Sequence, residues 1–257
     1  EVEDDERRGG MREALVNQEY SCDWSAALVG SVWGDLIDGL ARGGGLDEFA
    51  VQFNNVFTTW DLGFTDSTAI WFWKVKDGGV DLIDHYESHG KPLSHYFNVV
   101  NNKPYGYAKH WLPHDARQTT LSSGVSILNQ CLQQWPGHVA IGPNLPLIEG
   151  IQAARWMLQQ GVRMHPRCGE AIEALRQYHY DFDEEKKTFS NRPSHDWSSH
   201  TADAFRGIAC VVKVSRLLGN KTDEVEAPKP AVRAVTSFTL DELFDDHAKG
   251  LARQRRI

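Results

Sequence analysis

The chain has 257 residues, of which 41% are hydrophobic and 24% are charged, values ordinary for a globular protein with a full core. Its formal net charge of −8 argues against a protein whose main task is to grip nucleic acid tightly by itself. No apolar run approaches the ~18 residues of a membrane span, and the polar N-terminus lacks the apolar segment of a signal peptide. We therefore expect a soluble, intracellular protein with no membrane partner.

The first half of the chain changes from helical to extended patterns. Residues 11–28 and 32–44 have apolar positions at helical spacing, so residues 1–50 are predicted to be a helical segment. The Gly43-Gly44-Gly45 run ends this segment and indicates a connector. Residues 56–63, 67–75 and 80–88 are rich in β-branched and aromatic residues and are separated by turn-forming segments. They predict an antiparallel meander of three strands.

The second half alternates between strands and helices. The predicted elements are helices at 93–102, 124–135, 147–160 and 169–178, strands at 107–112 and 138–141, a polar hairpin at 180–191, and a last helix at 199–218. A meander followed by such alternation predicts an α/β fold with a mixed sheet and helices on its faces. Residues 220–257 begin with a segment that contains two prolines and alternating charge, which indicates a partly flexible arm.

Asp61 is the first candidate functional residue. Aspartate is disfavoured in strands, yet Asp61 lies in an otherwise apolar one. The plain alternative is a turn aspartate just before Gly63. Asp66 fits the turn role better, because it lies between the first two predicted strands.

Asp115 is the second candidate. It directly follows the predicted strand 107–112, and ligands in open sheets gather beyond the ends of strands. The alternative is a residue that forms an Asx turn or caps a helix.

Asp203, on the last predicted helix, is the third candidate. It shares a stripe with Gly207 and Cys210, and a glycine there would let the helix approach another backbone closely. Arg206 belongs to a polar face of the same helix, with Lys213 and Arg216. We therefore expect Asp203 to face the sheet, although a carboxylate in a first turn also favours the helix dipole.

Three carboxylates together predict a hard-cation site for Mg²⁺ or Mn²⁺. Two such ions could align a phosphodiester for hydrolysis. The four cysteines, Cys22, Cys131, Cys168 and Cys210, lie far apart and form no C-x-x-C pair. Free, reduced thiols are expected, and a zinc ribbon has little support.

Three short motifs in order resemble the nuclease domain of the tailed-bacteriophage terminase large subunit. They are WDLG with DSTAI (60–63 and 66–70), LPHD (112–115), and DWSSH with ADAFR (196–200 and 202–206). Residues 17–24 are similar to the segment that closes the preceding ATPase domain in this family. The resemblance covers residues 12 to 215, and its specificity lies in the order of strand, strand end and helix.

The resemblance implies a ribonuclease H-like fold and a metal-dependent endonuclease that cuts concatemeric double-stranded DNA with two Mg²⁺ or Mn²⁺ ions. Asp61, Asp115 and Asp203 would be its catalytic and metal-binding residues, with Asp66, His114 and His200 as candidates to support them. The implied domains are 1–50, left from the ATPase domain and linker; 51–219, the nuclease; and 220–257, the arm. No G-x-x-x-x-G-K-[ST] loop occurs in the chain, so we expect no ATP hydrolysis.

Two other hypotheses remain open from the sequence. One is a different ribonuclease H-like enzyme, such as a junction resolvase or recombinase. The other is a non-catalytic module for DNA binding or assembly. For a terminase, the expected partners are double-stranded DNA, the terminase small subunit and the portal protein. The expected location is the host-cell cytoplasm, outside the mature virion.

Overall fold

A computed structural model of the chain describes residues 30–63, 66–76, 79–119, 124–183 and 185–217. All of these belong to one compact unit. The predicted helix at 11–28 and the arm at 220–257 lie outside the described residues. The domain boundaries at residues 50 and 219 stay predictions.

The described elements alternate along the chain. The helices are α1 (Gly34–Arg42), α2 (Leu93–Asn102), α3 (Ile127–Gln134), α4 (Leu147–Leu158), α5 (Gly169–Gln177) and α6 (Ser199–Leu217). The strands are β1 (Val56–Asp61), β2 (Ser67–Lys76), β3 (Gly79–His89), β4 (Tyr107–Leu112), β5 (Val139–Ile141), β6 (Arg163–Met164), β7 (Tyr180–Asp183) and β8 (Thr188–Pro193).

Six of these strands form a mixed sheet in the order β5-β4-β1-β2-β3-β6. The three strands β1, β2 and β3 are antiparallel neighbours, so the predicted meander is confirmed. β4 pairs in parallel with β1, and β5 pairs in parallel with β4. The predicted α/β class with a mixed sheet and flanking helices is therefore confirmed.

β2 is apolar on both faces, because helices cover both sides of the sheet. Trp71 and Trp73 belong to the core that includes residues of α1, α4, α5 and α6, whereas Ile70 and Phe72 belong to the core on the side of α2 and α3. Alternate residues of a strand point to opposite faces, which explains this division. The indole N–H of Trp71 donates to the carbonyl of Thr201 at 3.0 Å, so this buried polar group is satisfied.

α6 lies directly against β1 and β2. A Cβ placed on Gly207 would come within 2.7 Å of Cγ2 of Thr59, so glycine at this position permits the close approach. The bond between Trp71 and Thr201 links the first turns of α6 to β2. The close approach expected at Gly207 is confirmed, but the group that it meets is the side chain of Thr59 rather than a backbone.

Some predicted boundaries shift. Residues 124–126 precede α3, because the Ser126 hydroxyl accepts from the N–H of Asn129 at 3.1 Å and caps the helix start. The predicted hairpin forms as β7 and β8, but it is not wholly polar, because Phe182 and Phe189 are exposed and pack edge to face at 5.0 Å. The two-residue edge strand β6 was not predicted.

The segment that precedes the sheet contributes to its core. Trp33 and Ile37 are buried, and the Trp33 ring contacts Tyr178 and Phe205 at centroid distances of 5.3 Å. Within the described ranges, no helix has the length and apolar character that a bilayer crossing requires.

Candidate active site

The sheet brings two of the predicted aspartates to one edge. Asp61 is the last residue of β1. Asp115 lies in the 3₁₀ turn His114–Arg117, which follows β4 after a single residue. Because β1 and β4 are parallel, their carboxyl ends meet at the same edge of the sheet.

α6 brings a third aspartate to this edge. His200, one turn before Asp203, donates from Nδ1 to Oδ2 of Asp61 at 3.0 Å. Asp203 itself accepts from Nε of Arg206 at 3.0 Å. Asp61, Asp115 and Asp203 thus come from three elements, and we call them the aspartate centre.

The charges of the aspartate centre act on one another. Burial raises the pKa of Asp61 above its usual value, and the negative charges of Asp203 and Asp115 raise it further. The hydrogen bond from His200 opposes this rise. In return, the bond to Asp61 raises the pKa of His200, although burial of the ring lowers it.

The carboxylate oxygens of the aspartate centre are less closely grouped than the resemblance implies. Among the described residues, ligand atoms of Asp66, His195 and His200 all lie within 4.8 Å of one another. The three aspartates do not form such a group. Asp203 is held towards Arg206, and the carboxylates repel one another. The donor set still fits a hard divalent cation, since it consists of carboxylate oxygens whose repulsion such an ion would relieve.

The supporting residues suggested by the sequence divide into two groups. His200 contacts Asp61 directly. Asp66 lies with His195 and His200 rather than with the aspartate centre. His114 is exposed, and within the described part of the chain it forms no hydrogen bond or ion pair with any of the three aspartates.

Comparison with known protein families identifies the family of this chain. The sequence profile described as the terminase RNase H-like domain matches residues 58–209, which is more than half of the chain. The chain belongs to this family. The matched range runs from β1 to α6 and therefore contains all three aspartates and His200. No curated protein sequence matches the chain.

Solved large terminases share the fold of this terminase domain. The large terminase of the thermophilic bacteriophage D6E in complex with ATP-gamma-S is 14% identical, with a TM-score of 0.53 over 69% of this chain and 45% of that chain. The D6E protein in complex with ADP is 15% identical, with a TM-score of 0.51 over 68% and 44%. The nuclease domain of the bacteriophage SPP1 large terminase with bound Mn is 18% identical, with a TM-score of 0.46 over 63% and 92%. The chain spans less than half the length of the D6E protein.

Sequence reasoning missed two residues of this terminase site, His195 and Gly150. His195 precedes α6, and its ring lies 5.3 Å from that of His200. Gly150 on α4 makes room for Arg206, because a Cβ there would come within 2.8 Å of Cγ of the arginine. The spacing of His195 and His200 across a helix start could have drawn attention to His195, but no local pattern indicates the role of Gly150.

Arg206 also corrects the predicted polar face of α6. We expected it on a polar face with Lys213 and Arg216, whereas it lies half-buried along α4 and binds Asp203. Arg216 packs over the ring of Trp156 at 4.7 Å, and Lys213 lies 3.9 Å from Glu149. This face of α6 therefore packs against α4.

Proposed function

We propose that this terminase domain is a metal-dependent DNA endonuclease that cleaves concatemeric double-stranded DNA during viral genome packaging. The observation that carries the proposal is the convergence of Asp61, Asp115 and Asp203 from three elements, close enough for the latter two to raise the pKa of Asp61. Mutually repelling carboxylates at the carboxyl edge of a sheet are typical of a site for hard divalent cations.

Each residue would have a distinct part in this activity. Asp61, fixed on a strand between β2 and β4, would be shared by two ions, with Asp115 and Asp203 each binding one. Mg²⁺ or Mn²⁺ ions, when bound, would activate water and stabilise the leaving 3′ oxygen. His200 would orient Asp61 through its hydrogen bond, and Arg206 would orient Asp203.

The terminase assignment is favoured over a resolvase or recombinase by the family match. We further propose double-stranded DNA as substrate, the terminase small subunit and portal protein as partners, and the host-cell cytoplasm as the place of action. We propose that residues 1–50 belong to the end of an ATPase domain and its linker, 51–219 to the nuclease, and 220–257 to an arm.

The test compares Asp61→Asn with the exposed control Asp35→Asn on α1 in plasmid cleavage. Chelator-treated protein is supplied with Mg²⁺, Mn²⁺ or Zn²⁺ in turn. We expect Mg²⁺ or Mn²⁺ to restore cleavage by the wild type and the control. The cleavage rate of Asp61→Asn should fall by more than about a hundredfold. Losing even an outer partner of a metal ligand typically lowers metal affinity or activity 10- to 100-fold.

Circular dichroism and thermal unfolding establish that both variants fold. Unchanged cleavage by folded Asp61→Asn contradicts the assignment of Asp61. Recovery with Zn²⁺ but with neither Mg²⁺ nor Mn²⁺ contradicts the hard-cation site. A wild type that binds DNA but cleaves none with any of these metals supports the non-catalytic module.

A further inference from the structure

A second group of side chains of the types that can bind a metal lies beside the aspartate centre. It consists of Asp66, just before β2, His195, just before α6, and His200, in the first turn of α6. Each offers one ligand atom, and these atoms all lie within 4.8 Å of one another. We call this group the His–Asp trio.

Hydrogen bonds outside the trio orient both imidazole rings. The hydroxyl of Ser199 donates to the carbonyl of Asp196 at 2.7 Å, so its oxygen accepts from Nδ1 of His195 at 3.0 Å. The carboxylate of Asp61 likewise accepts from Nδ1 of His200 at 3.0 Å. In each neutral ring the proton therefore resides on Nδ1, and Nε2 keeps a free lone pair.

This pattern is typical of histidines that bind metals. A metal-bound imidazole generally donates its other N–H to a carboxylate, carbonyl or similar acceptor, which fixes the tautomer and the ring orientation. Ligands of one ion with bonds of about 2.1 Å lie at most about 4.2 Å apart. Asp66 and His195 are exposed, so their side chains are free to rotate and close the trio around an ion.

We propose that Asp66, His195 and His200 form a second metal site, which takes one transition-metal ion of the Zn²⁺ class. Two imidazoles and one carboxylate are a donor set that suits Zn²⁺, Co²⁺ or Fe²⁺, whereas Mg²⁺ prefers oxygen ligands alone. Three protein ligands leave one position for water. The site is distinct from the aspartate centre and does not depend on the proposed cleavage of DNA.

His200 would link the two sites, because Nδ1 binds Asp61 and leaves Nε2 for an ion in the trio. An ion held by Nε2 would fix the ring and strengthen the donor character of Nδ1–H. The occupied trio would therefore hold the carboxylate of Asp61 in a single orientation at the end of β1.

The experiment titrates Co²⁺ into the full, metal-stripped chain carrying no histidine tag and records visible absorption. Co²⁺ bound to imidazoles in a four- or five-coordinate site absorbs much more strongly than hydrated, six-coordinate Co²⁺. We expect one strongly absorbing ion per chain, displaced by Zn²⁺ but not by excess Mg²⁺. His195→Gln and Asp66→Asn should weaken binding at least tenfold, whereas Asp115→Asn and the exposed control His89→Gln should retain it.

Three results would overturn the proposal. The first is an absorption spectrum no stronger than that of hydrated Co²⁺. The second is an affinity for Co²⁺ that is equal in folded His195→Gln and in the wild type. The third is loss of the absorption in Asp115→Asn. The last would place the ion in the aspartate centre. Since no DNA is present, the outcome stands whether or not the chain cleaves DNA.

Discussion

Asp61 and Asp203 are held by different means, although both belong to the aspartate centre. The backbone of Asp61 lies within the sheet, opposite Ala69 of β2, and its side chain binds His200. Asp203 lies on a helix, and Arg206 orients its side chain. The orientation of Asp203 therefore depends on how Arg206 packs against Gly150.

Gly150→Ala tests this dependence. The new Cβ would lie 2.8 Å from Cγ and 2.9 Å from Cδ of Arg206, so the arginine must move and release Asp203. We expect the Mg²⁺ concentration for half-maximal cleavage to rise about tenfold, within the range typical for losing a partner of a metal ligand. Gly169→Ala at the start of α5 is the matched control, because nothing lies within 4 Å of its added Cβ. Equal Mg²⁺ dependence in the two variants would show that Arg206 does not position Asp203.

His110 is fully buried on β4. Its Nδ1 is 2.8 Å from the hydroxyl of Thr58, and its ring stacks on Trp135 at 4.2 Å. Burial, aided by the charge of His138, lowers the pKa of His110 to about 3. The unfolded chain, with a histidine pKa near 6.5, therefore binds more protons between about pH 6.5 and 3.

The free energy of unfolding should thus fall as the pH drops through this window, by up to about 1.4 kcal/mol per pH unit from His110 alone. His110→Gln should flatten the slope by roughly one proton, whatever its effect on stability at pH 7.5. Urea unfolding at several pH values between 7.5 and 4.5 measures this, with His89→Gln as the exposed control. An unchanged slope in His110→Gln would refute the assignment.

Sequence patterns singled out the three aspartates and His200, the partner of Asp61, but not the contacts that position Asp203. Asp61 and Asp115 stand out locally, one in an apolar strand and one just after a strand. Gly150 and Arg206 are 56 residues apart, and nothing local indicates that one makes room for the other. The same holds for Asp66 and His195, which meet only because α6 packs beside β2.

At the level of helices and strands, the long elements and the short strand β5 were predicted, whereas the two-residue strand β6 and the start of α3 were not. The strands of the meander are long, rich in β-branched and aromatic residues and bounded by turn-forming segments, so they were found. β6 has two residues and pairs only with Asp81 and Leu82 of β3, so it carries no periodic pattern. The start of α3 is set by the hydrogen bond that the side chain of Ser126 accepts from the N–H of Asn129. The spacing of apolar residues does not determine this position.

Gly207→Ala tests the contact between α6 and the sheet. Its Cβ would lie 2.7 Å from Cγ2 of Thr59, which is buried on β1 and cannot turn away easily. We expect the free energy of unfolding to fall by about 1–3 kcal/mol, the usual cost of overpacking. Gly39→Ala in α1, with open space around its added Cβ, should instead raise it by about 0.5–1 kcal/mol.

Chemical denaturation of both variants gives the comparison directly. Equal or greater stability of Gly207→Ala would show that α6 can shift on β1 at no cost.

At the scale of the whole molecule, the acidic balance of the chain bears on how it meets DNA. With a formal net charge of −8, the chain as a whole repels phosphates, so its binding to DNA must depend on local contacts. The chain also spans less than half the length of the large terminase that it resembles in fold. In an intact terminase we therefore expect the rest of the protein and the small subunit to contribute much of the affinity for DNA.

We expect the chain alone to cut plasmid DNA slowly, without ATP and with little sequence preference. The proposed chemistry needs only divalent ions held by the aspartate centre, and the sequence contains no G-x-x-x-x-G-K-[ST] loop for a nucleotide. Binding through few phosphate contacts should be weak, and cleavage should fall as salt rises from about 50 to 200 mM, with a slope set by the number of phosphates contacted. Digestion in Mn²⁺ with and without ATP, across this range, should give a smear rather than bands. Discrete bands from one fixed site would show that this chain reads sequence, and strict dependence on ATP would place a motor function within it.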